Sequence, residues 1–213
     1  RVALIDGDRS YGFFEFDAQV DKAARAMHQR GVRAGDKVLI MLHNCGEFLF
    51  LQAACGRLGA AAVSVASRST SAELGYIIEH AGARALFFDF GAEEVVREAL
   101  EARDHDLQGR TIAVGGEVAG AESYSSWLAE AADAPLPPVE AAVDGAVVVY
   151  TSGTTGKPKG AVRKFGFSVI SQLIHFIERT PMRVDQTHLT ACPLYHSTAF
   201  GFTSLSFLLA SKV

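Results

Sequence analysis

The sequence is short of cysteine and has no C-x-x-C pair. Cys45, Cys55 and Cys192 are odd in number, which excludes a closed disulfide framework and reads as three small core residues in a reducing cytoplasm. It also lacks a strong charge of either sign. Twenty Lys and Arg against 24 Asp and Glu leave a net charge of −4, which gives no footprint for nucleic acid or an anionic membrane. Long apolar runs are missing too. The longest stretch, Ala199 to Ala210, carries Ser and Thr and falls short of the roughly 20 residues a transmembrane helix needs. No signal peptide, repeat or low-complexity tract is visible in these residues, and His28, His43, His80, His105, His175 and His188 show no metal-ligand spacing. The chain opens on Arg1, so a cut or processed N-terminus is expected.

What is present is a 213-residue chain that is 49% hydrophobic, enough for a sizeable core. Apolar residues recur at helical spacing over 12–30, with Gly12 at the N-cap, Glu15 as half a capping box and Gly31 just past the end. Strands are predicted at 37–42, 60–65, 84–88 and 111–114. Between them lie helices after Asn44 (read as an N-cap), after the capping box Thr70-Ser71-Ala72-Glu73, and over 92–102. A short helix around Trp127 precedes Pro135, Pro137 and Pro138, which mark an extended connection. A helix over 165–177, a strand over 188–192 and an apolar helix over 199–209 follow. Strands alternating with helices of this length predict an α/β fold, a doubly wound and mostly parallel sheet with flanking helices. Three portions are expected: 1–134, a connection over 135–144, and 145–213.

The chemistry concentrates after Val147-Val148-Val149-Tyr150, which reads as a buried strand. Thr151, Ser152, Gly153, Thr154, Thr155, Gly156, Lys157, Pro158, Lys159 and Gly160 then supply hydroxyls, flexible backbone and positive charge, the donors a polyphosphate requires. The P-loop of NTPases, G-x-x-x-x-G-K-[ST], does not fit: Thr151 stands where Gly is needed and Pro158 where Ser or Thr is. Arg163 and Lys164 are placed at the start of the next helix, where cations oppose the helix dipole unless an anion is present.

Tyr150 to Gly160 resembles the phosphate loop of the adenylate-forming enzymes, the superfamily of acyl-CoA synthetases, luciferases and peptide-synthetase adenylation domains. Pro193-Leu194-Tyr195-His196-Ser197 resembles that family's next motif, and Gly56 to Val63 its preceding strand entry. The resemblance covers the whole chain and implies the first part of the family's large N-terminal domain, since the later adenine, ribose and C-terminal lysine motifs do not occur by Val213. It implies that residues 151–157, Lys159 and Gly160 hold the phosphates of ATP, with Thr151 or Thr155 near Mg2+, and that His196 meets the carboxylate or adenylate. Tyr195, Phe200 and Phe202 would line the acyl pocket, while Arg68 is read as structural. The implied reaction of the full-length parent is ATP-dependent activation of a carboxylic acid, a fatty acid first, followed by thioesterification to coenzyme A. Alternatives are loading of a carrier protein, luciferase-like chemistry, or a nucleotide-binding module without turnover. The partners are small molecules; the apolar face of the 199–209 helix is expected to mediate a homodimer or other self-association, or to meet the missing remainder of the domain.

Overall fold

The computed structural model describes residues 1–102, 107, 109–136, 146–151, 159–164 and 168–213. The chain opens with an antiparallel hairpin, β1 (Val2–Asp6) and β2 (Arg9–Gly12), which the sequence did not announce. Helix α1 (Phe13–Gln29) starts on Gly12, whose amide donates to the Glu15 carboxylate at 2.6 Å, the half capping box expected there. Then come β3 (Lys37–Met41), α2 (Gly46–Arg57), β4 (Ala61–Ser64), α3 (Ser71–Ala81), β5 (Ala83–Asp89), α4 (Glu93–Glu101) and β6 (Thr111–Val114). The two-residue strand β7 (Glu122–Ser123) leads into α5 (Tyr124–Ala129). Last come β8 (Ala146–Thr151), β9 (Lys159–Lys164), α6 (Ser168–Arg179) and α7 (Ser197–Leu208).

One seven-stranded sheet runs in the order β7-β6-β5-β3-β4-β8-β9, parallel throughout except for the antiparallel β8–β9 pair. Both faces of its centre are covered, so the strands are apolar at every position rather than at alternate ones. Val38, Ile40, Ala62, Ala85 and Phe87 point to the face packed by α1, α2 and α5. Leu39, Met41, Val63, Leu86 and Phe88 point to the face packed by α3 and α4. Trp127 closes the first face, edge-on to Phe87 at 5.0 Å. Thr70 caps α3 with the full reciprocal box, and Gly82 ends it at φ +64, a left-handed conformation that glycine adopts without Cβ strain.

Three expectations fail for physical reasons. Asn44 is not the cap of α2; the N-cap is Cys45, whose side chain makes no capping bond. A carboxylate from elsewhere in the chain does the work, Asp6 accepting from the Gly46 amide at 2.9 Å. Asn44 instead donates to the carbonyls of Thr190 and Cys192 and accepts from the Leu194 amide at 2.8 Å. Residues 188–192 are therefore not a strand: the Asn44 side chain takes hydrogen bonds that a ladder would have taken. Among the described residues the pairing nearby is an isolated Thr187–Lys212 bridge. Arg163 and Lys164 do not start a helix; they end β9, at the sheet edge, where charge discourages further strand pairing. The following helix starts at Ser168, and Phe165 lies outside the described residues.

Candidate functional site

In an open parallel sheet, ligands collect beyond the carboxyl ends of strands where neighbouring connections part company. Here that point lies between β4 and β8. The chain leaving β4 turns into α3 and crosses to the far side of β3, whereas the chain leaving β8 returns as β9. A cleft of about 390 Å³ opens there, walled by Ser64, Arg68, Glu73, Tyr150, Tyr195 and His196.

Strand β8 is parallel to β4, as expected of the strand feeding the hydroxyl- and glycine-rich loop. The loop's two ends are held in register: Thr151 pairs with Lys159 and Tyr150 with Gly160. Gly160 lies so close to the Tyr150 ring that a Cβ there would stand 3.1 Å from Cζ, so glycine is what lets β9 close over Tyr150. Ser152, Gly153, Thr154, Thr155, Gly156 and Lys157 lie outside the described residues, and for Thr151 and Lys159 the backbone pairing alone is described.

Tyr195 and His196 reach the cleft together, their rings 4.5 Å apart. His196 is exposed and occupies the N-cap position of α7, its carbonyl accepting from Phe200 at 3.1 Å. Its place is fixed by Leu194, buried two residues upstream and anchored by Asn44. Asn44 is therefore a positioning residue for this wall. No local motif marks it, because its partners are about 150 positions downstream. Tyr150 is held from the other side: its hydroxyl meets His80 Nδ1 at 2.8 Å, and His80 stacks on Tyr76. Burial, with Tyr76 nearby, raises the Tyr150 pKa above its ordinary value, so the phenol stays protonated at neutral pH.

Phe200 and Phe202 are not brought to this cleft. Phe200 lines a second groove, also about 390 Å³, with Phe13, Phe16, Gln52, Phe207 and Leu208 between α1, α2 and α7. Phe202 packs on Phe176 and His188. The helical turn that puts His196 at the mouth of the cleft rotates these rings onto other faces of α7. Burial pushes the thiols of Cys45 and Cys55 up to about 12, which makes both poor nucleophiles. Among the described residues no group of three His, Cys, Asp or Glu side chains could hold a metal ion, and no helix is long and apolar enough to cross a membrane.

Comparison with known proteins bears on the family and the fold. The model of the family described as AMP-binding enzyme matches residues 1–213. The chain is 32% identical over 220 residues to 4-coumarate–CoA ligase 3 of Oryza sativa subsp. japonica, covering 100% of this chain and 38% of the relative. It is 30% identical over 210 residues to a feruloyl-CoA synthase of Amycolatopsis sp., covering 98% and 39%. Among solved structures, the inhibitor-bound N-terminal domain of FACL13 from Mycobacterium tuberculosis superposes with a TM-score of 0.81 at 27% identity, covering 99% of this chain and 52% of that one. The chain thus spans less than two fifths of the length of these curated relatives.

Proposed function

We infer function from one premise: the chain belongs to the AMP-binding enzyme family. We propose that the full-length protein activates a carboxylic acid with ATP and passes the acyl group to coenzyme A. Residues 1–213 would be the first part of its N-terminal domain, with 135–144 connecting two portions that share one sheet. The carboxylate oxygen attacks the α-phosphorus, the bond to the β-phosphate oxygen breaks, and pyrophosphate leaves. The thiolate of coenzyme A then attacks the acyl carbonyl of the adenylate and AMP leaves. The observation that carries the reading is the cleft at the β4/β8 ends, lined by Val149 and Tyr150 of the strand that runs on into Thr151, which pairs with Lys159.

In this reading Lys159 and the hydroxyls and amides of 151–160 hold the phosphates and offset charge as pyrophosphate departs. His196 and Tyr195 face the reacting carboxylate. Positioning supplies much of the rate, since both reactants must meet in line. The described residues offer no built metal cage, so magnesium is proposed to arrive with the nucleotide, and no step is routed through it. The free thiols of Cys45, Cys55 and Cys192 favour a cytoplasmic setting.

The test is acid-dependent exchange of labelled pyrophosphate into ATP by the full-length protein. A panel of fatty and aromatic acids should include at least one that drives exchange, and adding coenzyme A should then yield the thioester. The sequence reading places fatty acids first; the names of the relatives place hydroxycinnamic acids beside them. Exchange without thioester formation, but with acyl transfer to a carrier protein, would replace the acceptor. No exchange with any acid would overturn the activity.

A further inference from the structure

The cleft contains donors that the reading above leaves without a role. Arg9, Arg25, Arg30, Arg57 and Arg97 all meet carboxylates. Arg68 has no partner among the described residues, although Glu73 shares the cleft with it. Glu73 is engaged elsewhere: both the amide and the hydroxyl of Thr70 donate to its carboxylate, at 2.9 and 3.1 Å. Ser64, which lines the same cleft, is 3% exposed, and its Oγ has no hydrogen-bond partner. A buried hydroxyl left unpaired costs free energy that a ligand oxygen can recover. The third donor is α7. It is twelve residues long, its cap His196 lies on the cleft, and no side chain caps it, so its first-turn amides are unsatisfied within the helix.

Guanidinium, hydroxyl and helix N-terminus are all donors, and together they fit an oxyanion. The Glu73 carboxylate, on the same cleft, sets a limit on its charge. A polyphosphate would be repelled there, whereas a single carboxylate is tolerated. Tyr150 does not compete, since its hydroxyl is held by His80. We propose that Ser64 and Arg68 bind the carboxylate of the acid before it is activated, an assignment that rests on the adenylation reading.

The experiment is initial-rate exchange kinetics on the full-length protein, with benzoate or whichever acid of the panel is turned over. Wild type is compared with Arg68→Ala, Arg68→Lys and Ser64→Ala. Arg68→Ala should raise KM for the acid about tenfold and Ser64→Ala about threefold, with KM for ATP moving by less than about twofold. Arg68→Lys should recover part of the loss, and added salt should shrink the Arg68 effect, as expected of an exposed charge. A rise in KM for ATP alone would make the occupant a phosphoryl oxygen and overturn the carboxylate assignment. Unchanged KM values for both substrates would overturn the site altogether. A wild type that exchanges with no acid would mark failure of the adenylation reading instead. The anion site is then decided by arginine-selective dicarbonyl labelling read by peptide mass spectrometry. Benzoate should slow labelling of Arg68 in wild type and do so less in Ser64→Ala; equal rates with and without benzoate would overturn it.

Discussion

The centre of the sheet and its β8–β9 edge are built on opposite terms. Around β3 both faces are covered: Val38, Leu39 and Ile40 are fully buried, and α2 and α3 lock over them. At the edge, the described side chains of β8 that are buried are Val148 and Val149, and its continuation is hydroxyl, glycine and cation. The first region stabilises the fold through burial, at roughly 25 cal/mol per Å² of apolar area. The second runs into a stretch whose composition supplies donors for a ligand rather than apolar area for the core. Damage at the centre should therefore remove the protein, and damage at the edge should remove the activity alone.

The sharpest way to break that contrast is Phe87→Ala, which empties the ring that Trp127 packs against. It should cost about 3–5 kcal/mol of stability, read as a fall in the urea midpoint of the full-length protein. Next is Lys159→Ala, which should slow adenylation about tenfold to a hundredfold, the worth of one charge-assisted contact of ~1.5–3 kcal/mol. Its melting temperature should stay at the wild-type value; a matching drop in stability would erase the distinction between the regions. Between the two lies Asn44→Ala. It orphans two carbonyls and an amide in the segment that carries His196, so about 1–3 kcal/mol of local stability and a raised KM for the acid should be lost together. Thr70→Ala removes one cap and should cost about 1 kcal/mol, seen in thermal unfolding. The smallest effect is chemical. At pH 8 iodoacetamide should label exposed Cys192 ahead of Cys45 and Cys55 by about tenfold or more, because burial holds the latter two thiols near 12. Raising the pH toward that value should narrow the gap.

The same contrast explains what the sequence disclosed. The central strands and the helices they alternate with were legible because burial on both faces demands apolar residues at local periods, and Thr70, Gly82 and Gly31 punctuate them locally. Misreadings fell where a residue answers to a distant partner. Asn44 looks like a cap, and only the fold shows that it clamps residues 190–194. Arg163 and Lys164 look like a helix entry, yet their pairing with Val147 and Ala146 makes them an edge strand. Of the candidate residues named from motif order, Tyr195 and His196 line one cleft with Tyr150, while Thr151 and Lys159 are described only by their pairing across β8 and β9. Phe200 was not separable from them, since a turn of helix decides which groove it lines. Ser64 carried no signal at all: a serine in an alanine- and valine-rich strand acquires meaning only when its hydroxyl is found buried and unpaired.

The central claim is that ATP and acid meet at the β4/β8 edge. Hydrogen–deuterium exchange of the full-length protein, with and without ATP and a turned-over acid, tests it most directly. Slower exchange should appear at residues 64–70, 151–164 and 193–199, with β3 and β5 unchanged because they are already protected. Protection confined to the groove between α1, α2 and α7, or spread evenly over the sheet, would contradict it.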